Sequence, residues 1–152
     1  MHPALELIPS DEAPPREVDV VVIGGGIVGA AATYAVAKAG QRVALVEKGY
    51  VGAEQSSRNW GWCRQQNRDA RELPLAMRSM ELWESLGGEI GRDLGFRRCG
   101  LVYATTDPAQ VKQWESWRSV ARSFGVDTRM LTGAEAARMS GTTARPWLAG
   151  IH

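Results

Sequence analysis

The first clear pattern of apolar positions along the chain changes from strand-like to helical and then back to strand-like. Residues 18–23 are apolar apart from Asp19 and rich in β-branched side chains. This composition predicts a strand buried on both faces, as in a parallel sheet. Residues 27–39 then predict a helix that ends at Gly40, and residues 42–46 predict a second apolar strand. The order strand, helix, strand indicates an α/β fold.

A second helical pattern begins near Asp69. Asp69 and Glu72 predict a capping box, with Pro74 in the first turn and Gly87 and Gly88 at the helix end. The apolar positions keep helical spacing and are Leu73, Met77, Met80, Trp83 and Leu86. The pattern predicts an amphipathic helix packed on a core.

The last third of the chain alternates strand and helix signals. Residues 96–105 have the β-branched and aromatic character of a strand, with a bulge at Gly100. Residues 107–108, Asp-Pro, predict a helix start, and Gly125 predicts its end. The remaining predicted features are a capping box at Thr132 and Glu135, a short helix to about Met139, and a turn into a strand over residues 141–152.

Three glycines follow the first predicted strand at G-x-G-x-x-G spacing, namely Gly24, Gly26 and Gly29. They allow a tight turn, a close approach of the backbone to a pyrophosphate, and close helix packing on the sheet. The start of the helix aims its N–H groups at the phosphates. Glu47 lies at the end of the second strand, where a carboxylate can accept hydrogen bonds from the ribose hydroxyls. The motif predicts an adenine dinucleotide, and a turn that packs without binding is the alternative. The candidate contacts are Gly24, Gly25, Gly26, Ile27, Val28, Gly29, Glu47 and Lys48.

Composition narrows the function classes. The net charge is +1, with 18 basic and 17 acidic residues mixed along the chain, so neither nucleic acid nor an anionic membrane is indicated. Two cysteines without C-x-x-C spacing and two histidines at the chain ends predict no metal site and no disulfide. No apolar run is long enough for a transmembrane segment, and no secretory signal is present, so we expect a cytoplasmic protein.

Residues 49–68 form a polar stretch without helical period, and loops of this length are often functional. Trp60 and Trp62 lie two apart within it, and packing and lining of a site remain equally open for them. Three other tryptophans keep helical spacing with apolar neighbours and are predicted to pack in the core, namely Trp83, Trp114 and Trp117.

Two segments, VVIGGGIVGAAATYAVAKAGQRVALVEKG and SSRNWG, carry a resemblance to a known family. They resemble the D-amino-acid oxidase family of FAD-dependent oxidoreductases, and LPLAMRSMELWESLG, GFRRCGLVYATTD and LTGAEAARM resemble its continuation into a substrate domain. Thr33, four residues beyond Gly29, departs from the fuller flavin-binding pattern, in which a small Gly or Ala is common at that position. The resemblance implies FAD as cofactor and oxidation of the C–N bond of an amino acid or amine by hydride transfer to flavin.

By the same resemblance, the segment from Ser56 to Gly61 belongs to the flavin cradle. The hydroxyls of Ser56 and Ser57 and the amide of Asn59 can hydrogen-bond to ribityl or pyrophosphate oxygens, and Gly61 lets the backbone approach the ring. Simple turn formation is the alternative. Similar family members carry a basic residue shortly afterwards, which makes Arg64 a candidate substrate or flavin contact, against an ordinary exposed arginine.

The resemblance also implies a division of the chain. Residues 1–17 are expected to form a disordered arm, 18–92 a Rossmann-type FAD-binding βαβ unit, and 93–152 the start of an α+β substrate domain. Family members are more than twice as long, so we expect a truncated, inactive fragment that needs a missing C-terminal half or a partner chain. The alternatives are an NAD-dependent Rossmann dehydrogenase, which needs further βαβ repeats after Glu47, and a non-enzymatic dinucleotide-binding remnant.

Overall fold

A computed structural model describes residues 7–142 and 146–152, and the chain divides into two compact units, Met1–Trp62 and Cys63–His152. The first unit contains β1 (Val20–Ile23), α1 (Ile27–Lys38), β2 (Val43–Val46) and a short 3-10 helix (Gln55–Ser57). The second contains α2 (Leu73–Ile90), β3 (Tyr103–Thr105), α3 (Pro108–Ser123), β4 (Met130–Thr132), α4 (Gly133–Ser140) and β5 (Ala149–Ile151). Part of the predicted arm (1–6) and part of the predicted last turn (143–145) lie outside the described residues.

The first unit is the predicted βαβ arrangement. β1 and β2 pair in parallel, in a register that runs from Val20 opposite Val43 to Ile23 opposite Val46. α1 ends as predicted, with Gly40 at a φ of +81°. The Gly40 N–H donates to the Ala37 carbonyl (2.9 Å), which satisfies one of the last carbonyls of the helix. The α/β prediction is therefore confirmed.

The prediction that β1 is buried on both faces is wrong for this chain. Val22 faces α1, because a Cβ atom built on Gly29 of that helix would lie 3.5 Å from the Val22 Cγ1 atom. The alternate residues Val21 and Ile23 are 55% and 86% exposed. α1 covers one face of the two-stranded sheet, and successive side chains of a strand point to opposite faces, so the other face stays in contact with solvent.

The start and the end of α2 both differ from the prediction. Asp69 does not form a capping box with Glu72, because its carboxylate accepts the backbone N–H (2.9 Å) and the guanidinium of Arg71 instead. The helix also continues through Gly87 and Gly88 to Ile90 and ends at Gly91, whose φ is +70°. Glycine weakens a helix by about 1 kcal/mol but does not have to end it, whereas the left-handed conformation at Gly91 does.

The second unit contains a three-stranded antiparallel sheet in the order β3-β5-β4. Only Tyr103–Thr105 of the predicted strand 96–105 pairs with β5. Gly100 is left-handed, with a φ of +77°, and the strand begins after it. β4 was not predicted, because three residues carry too little pattern and its register is set by β5.

The helix starts predicted for α3 and α4 are confirmed. Asp107 accepts the Ala109 N–H (2.8 Å), and Pro108 is the first residue of α3. Thr132 and Glu135 form the complete capping box of α4. Gly125 follows the end of α3 at a φ of +72°, as predicted.

The hydrophobic core of the second unit is built on Leu73, Ala121 and Val126, and Trp117 packs against it. The Trp117 Nε1 group donates to the Arg68 carbonyl (2.8 Å). Two further predicted core tryptophans are Trp114, which is buried, and Trp83, which is half-buried and stacks on Phe96. Both cysteines are free thiols. No helix within residues 7–142 and 146–152 is long and apolar enough to cross a membrane.

Candidate dinucleotide-binding site

The glycine turn after β1 depends on two positions that disfavour a side chain, one through its backbone conformation and one through lack of space. Gly24 has a φ of +103°, a conformation that L side chains rarely adopt, and its N–H donates to the Val46 carbonyl of β2 (2.7 Å). A Cβ atom on Gly29 would lie 1.8 Å from the Gly24 carbonyl oxygen. The first glycine therefore permits the turn, and the third permits α1 to pack directly on it.

Glu47, at the end of β2, is held by backbone donors on both carboxylate oxygens. Gly25 N–H donates to Oε2 (2.7 Å) and Gly49 N–H donates to Oε1 (2.9 Å). These two N–H groups, Gly25 first, lower the pKa of the Glu47 carboxyl below its ordinary value. The carboxylate is therefore charged at neutral pH and fixed beside the glycine turn. Its remaining lone pairs can accept hydrogen bonds from ribose hydroxyls.

The N-terminus of α1 presents its backbone N–H donors at the same turn. Gly26 is the N-cap residue and offers no capping side chain, and no acidic residue lies in the first turn. The Ser56 hydroxyl oxygen accepts the Ile27 N–H (2.8 Å), across 29 residues of sequence. A Cβ atom on Gly26 would lie 3.0 Å from that oxygen. The second glycine thus leaves room for the Ser56 hydroxyl oxygen at the positive end of the helix, an end that also favours the negative charge of a phosphate.

The loop after β2 folds back on the glycine turn. Gly52 N–H donates to the Gly25 carbonyl (2.9 Å), and Gly52 has a φ of +80°. The sequence prediction missed this contact, and the only signal for it in the sequence was the glycine at position 52.

Lys48, predicted to contact the dinucleotide, pairs its Nζ with Glu54 (3.1 Å). Val28, in the first turn of α1, is largely exposed.

The predicted cradle segment is organised by Asn59. Its side-chain Nδ2 donates to the Ser56 carbonyl, and its Oδ1 accepts the Gly61 N–H (2.6 Å). Gly61 has a φ of +69°, and the Ser57 hydroxyl donates to the Glu54 carbonyl (3.1 Å). Ser56 and Asn59 are therefore joined to the α1 N-terminus through hydrogen bonds, whereas the Ser57 hydroxyl bonds within its own turn.

Arg64 belongs to the second unit, and its guanidinium donates to the carbonyl of Gln66. Within the described ranges, no group of three or more His, Cys, Asp or Glu side chains is placed to hold a metal ion. Burial raises the pKa of the Cys63 thiol, which keeps that sulfur protonated at neutral pH.

A βαβ unit that brings together a glycine turn, the N-terminus of the helix and a strand-end carboxylate defines a Rossmann-type dinucleotide-binding protein. Residues 19–152 match the family model of the FAD dependent oxidoreductases, so the chain belongs to this family. FAD is the cofactor of that family, as the sequence interpretation predicted.

Similar proteins agree with this assignment. Glycine oxidase of Geobacillus kaustophilus is 32% identical over 139 residues, which cover 87% of this chain and 37% of that protein. Sarcosine oxidase subunit beta of an Arthrobacter species is 33% identical over 135 residues, covering 86% of this chain and 32% of that protein. The structure of L-amino acid deaminase from Proteus myxofaciens, in complex with anthranilate, superposes with a TM-score of 0.88 at 28% identity, covering 99% of this chain and 35% of that one. The chain thus spans about a third of the length of these relatives.

The described residues fit the ADP half of FAD. The left-handed turn at Gly24 and the positive end of α1 suit a pyrophosphate, and the oriented Glu47 carboxylate suits a ribose diol. These residues all lie in the first unit.

Proposed function

We propose that this chain is the dinucleotide-binding part of an FAD-dependent oxidoreductase that oxidises the C–N bond of an amino acid or amine. The observation that carries the proposal is the arrangement around Gly25, whose N–H fixes Glu47 beside the turn that opens onto the α1 N-terminus. The names of the glycine oxidase, the sarcosine oxidase subunit and the L-amino acid deaminase support the substrate class.

The roles of this chain's own residues follow from their chemistry. Because the Ile27 N–H already donates to Ser56, the Val28 N–H and the positive end of the α1 dipole bind pyrophosphate oxygens, and Glu47 orients the ribose. Ser56 and Asn59 hold the next loop against the helix, and Arg64 is the proposed contact for a substrate carboxylate or the flavin. Bound FAD supplies the acceptor for the hydride that leaves the carbon bearing the nitrogen.

We further propose that turnover requires polypeptide beyond these 152 residues, supplied by the remaining family length or by a partner chain. The exposed apolar side chains of Val21, Ile23 and Val46 support this proposal, because a parallel sheet is normally covered on both faces. The sarcosine oxidase relative is, by its name, one subunit of an enzyme. We propose the cytoplasm as the location, since a reducing compartment preserves free thiols such as Cys63 and Cys99.

Titration of the purified chain with FAD, ADP and NAD tests the cofactor proposal. We expect saturable binding of FAD and ADP and no preference for NAD, measured by calorimetry. Glu47→Ala should weaken both FAD and ADP, while Glu135→Ala, in the capping box of α4, should weaken neither. A preference for NAD would favour the dehydrogenase alternative, and binding of none of the three would favour an inert remnant.

A further inference from the structure

We propose that Trp60 is the aromatic contact for the isoalloxazine ring of FAD and that Trp62 positions it. This inference rests on the proposed function, since it takes the ADP half of FAD to lie at the Gly24–Gly29 turn. It assigns to this chain a contact with the reactive half of the cofactor, in addition to the ADP contacts of the glycine motif.

The two tryptophans are exposed to a degree that their size makes unusual. Trp60 is 81% exposed and Trp62 is 53% exposed, whereas Trp114 in the second unit is 4% exposed. The Trp60 and Trp62 rings pack edge to face, with centroids 5.2 Å apart and an interplanar angle of 67°. An exposed pair of large aromatic rings is typical of a surface that binds something, because leaving such area in water is unfavourable.

A continuous set of hydrogen bonds connects Trp60 to the α1 N-terminus. Ile27 N–H donates to the Ser56 hydroxyl oxygen (2.8 Å), and the Ser56 carbonyl accepts the Asn59 side-chain amide. Asn59 Oδ1 then accepts the Gly61 N–H (2.6 Å), which makes Trp60 the central residue of an Asx-turn. The backbone of Trp60 is therefore held in a defined position relative to the proposed pyrophosphate site, although its side chain faces solvent.

The maximum reach of this loop is compatible with the length of the cofactor. Trp60 follows Ser56 by four residues, which limits the distance between their Cα atoms to about 14 Å. In FAD, the ribityl chain carries the isoalloxazine ring away from the pyrophosphate by a distance of the same order. A pyrophosphate at α1 therefore allows the ring to reach Trp60, and a planar heteroaromatic ring is a suitable stacking partner for indole.

The form of the surface favours a small planar ligand over a protein partner. Along the sequence, Trp60 and Trp62 stand beside Arg58, Asn59 and Gly61, so the two rings belong to an otherwise polar loop. A docking surface for a polypeptide generally extends over many side chains. Loop residues between Trp60 and the glycine turn are fixed by hydrogen bonds, which suits stacking on one ring in one orientation.

The test compares FAD with ADP in the 152-residue chain and in Trp60→Leu, which keeps an apolar side chain and removes the ring. We expect Trp60→Leu to bind FAD roughly tenfold more weakly while its affinity for ADP is unchanged. Flavin emission gives a second measurement, because an indole in contact with the ring quenches it. Bound FAD should be strongly quenched in the wild-type chain and should recover emission in Trp60→Leu, while Trp60→Tyr should restore most of the affinity.

Trp83→Leu, in the second unit, is the matched control and should leave both the affinity and the quenching unchanged. If Trp60→Leu alters FAD and ADP binding equally, or neither, the inference is wrong while the proposed function stands. If the wild-type chain binds ADP but shows no quenching of bound flavin, the inference is again wrong, and Trp60 covers some other surface. If the chain binds neither FAD nor ADP, both the inference and the proposed function fail.

Discussion

The two units of the chain are stabilised by different kinds of interaction. All buried hydrophobic side chains among the described residues lie in the second unit, where Leu73 and Ile151 are the largest that are fully buried. In the described part of the first unit, only Gly25 is buried. The first unit is ordered instead by backbone conformation and by hydrogen bonds to Glu47 and Ser56. The comparison teaches that a glycine turn can be ordered by backbone conformation and polar contacts, without a large core of its own.

Among the predicted changes, substitution of Gly29 should have the largest effect on the stability and binding of the first unit. In Gly29→Val the new Cβ atom would lie 1.8 Å from the Gly24 carbonyl, so α1 must move off the turn. We expect the first unit to lose about 3 kcal/mol or more of stability and the chain to lose detectable FAD binding. Amide NMR spectra of the first unit and calorimetric FAD titration measure these changes.

Gly88→Ala is the control for this experiment. Gly88 lies within α2, and a Cβ atom there would meet no heavy atom of the described residues within 4 Å. The change should therefore stabilise the second unit by up to about 1 kcal/mol. Native-like spectra and FAD binding in Gly29→Val would show that α1 does not need to pack so closely on the turn.

Truncation of an apolar side chain should destabilise the second unit by several kcal/mol more than it destabilises the first. Leu73 is fully buried in the core of the second unit, and we expect Leu73→Ala to destabilise that unit by about 2–5 kcal/mol. Ile23→Ala in β1 should change stability by no more than about 0.5 kcal/mol, because Ile23 is exposed. Urea denaturation of the two variants measures the difference. Equal losses would mean that Ile23 is buried in solution and that the comparison between the units is wrong.

Removal of the hydroxyl that meets the α1 N-terminus should have a smaller effect. Ser56→Ala leaves the Ile27 N–H without its acceptor, and we expect a loss of about 1 kcal/mol in the first unit. Ser57→Ala removes only a hydroxyl that donates within its own turn, so it should cost less. Hydrogen exchange at the first amides of α1 distinguishes the two variants. Similar protection of the Ile27 amide in both would contradict a capping role for Ser56.

The smallest effect concerns acid sensitivity. The pKa of Glu47 is lowered in the folded chain, so the folded state binds fewer protons than the unfolded state near the ordinary value of 4.5. The stabilisation by Glu47 is therefore complete above pH 4.5 and is lost as the pH falls through the lowered pKa. NMR titration of the Gly25 and Gly49 amides should give a midpoint below 4.5, and Glu47→Gln should abolish that transition. A midpoint at or above 4.5 would contradict the two backbone hydrogen bonds.

Several features were correctly predicted from sequence because their signals are local. The glycine turn, the cap at Asp107, the capping box at Thr132 and Glu135, and the helix end at Gly40 each depend on residues within one turn of one another. The predictions at Asp69 and Gly87 were wrong because the local pattern allowed two solutions. Arg71 competes for the Asp69 carboxylate, and a glycine inside a helix is tolerated when a later glycine takes the left-handed position.

The sequence by itself thus determined the βαβ unit, its glycine turn and the family to which the chain belongs. Tertiary structure alone decided which polar groups meet at the turn. Glu47 accepts a hydrogen bond from Gly25 across 22 residues, and Ser56 accepts one from Ile27 across 29 residues. It also decided that one face of β1 is exposed. Such contacts depend on which elements pack together in space, and the spacing of residues within one element carries no information about that.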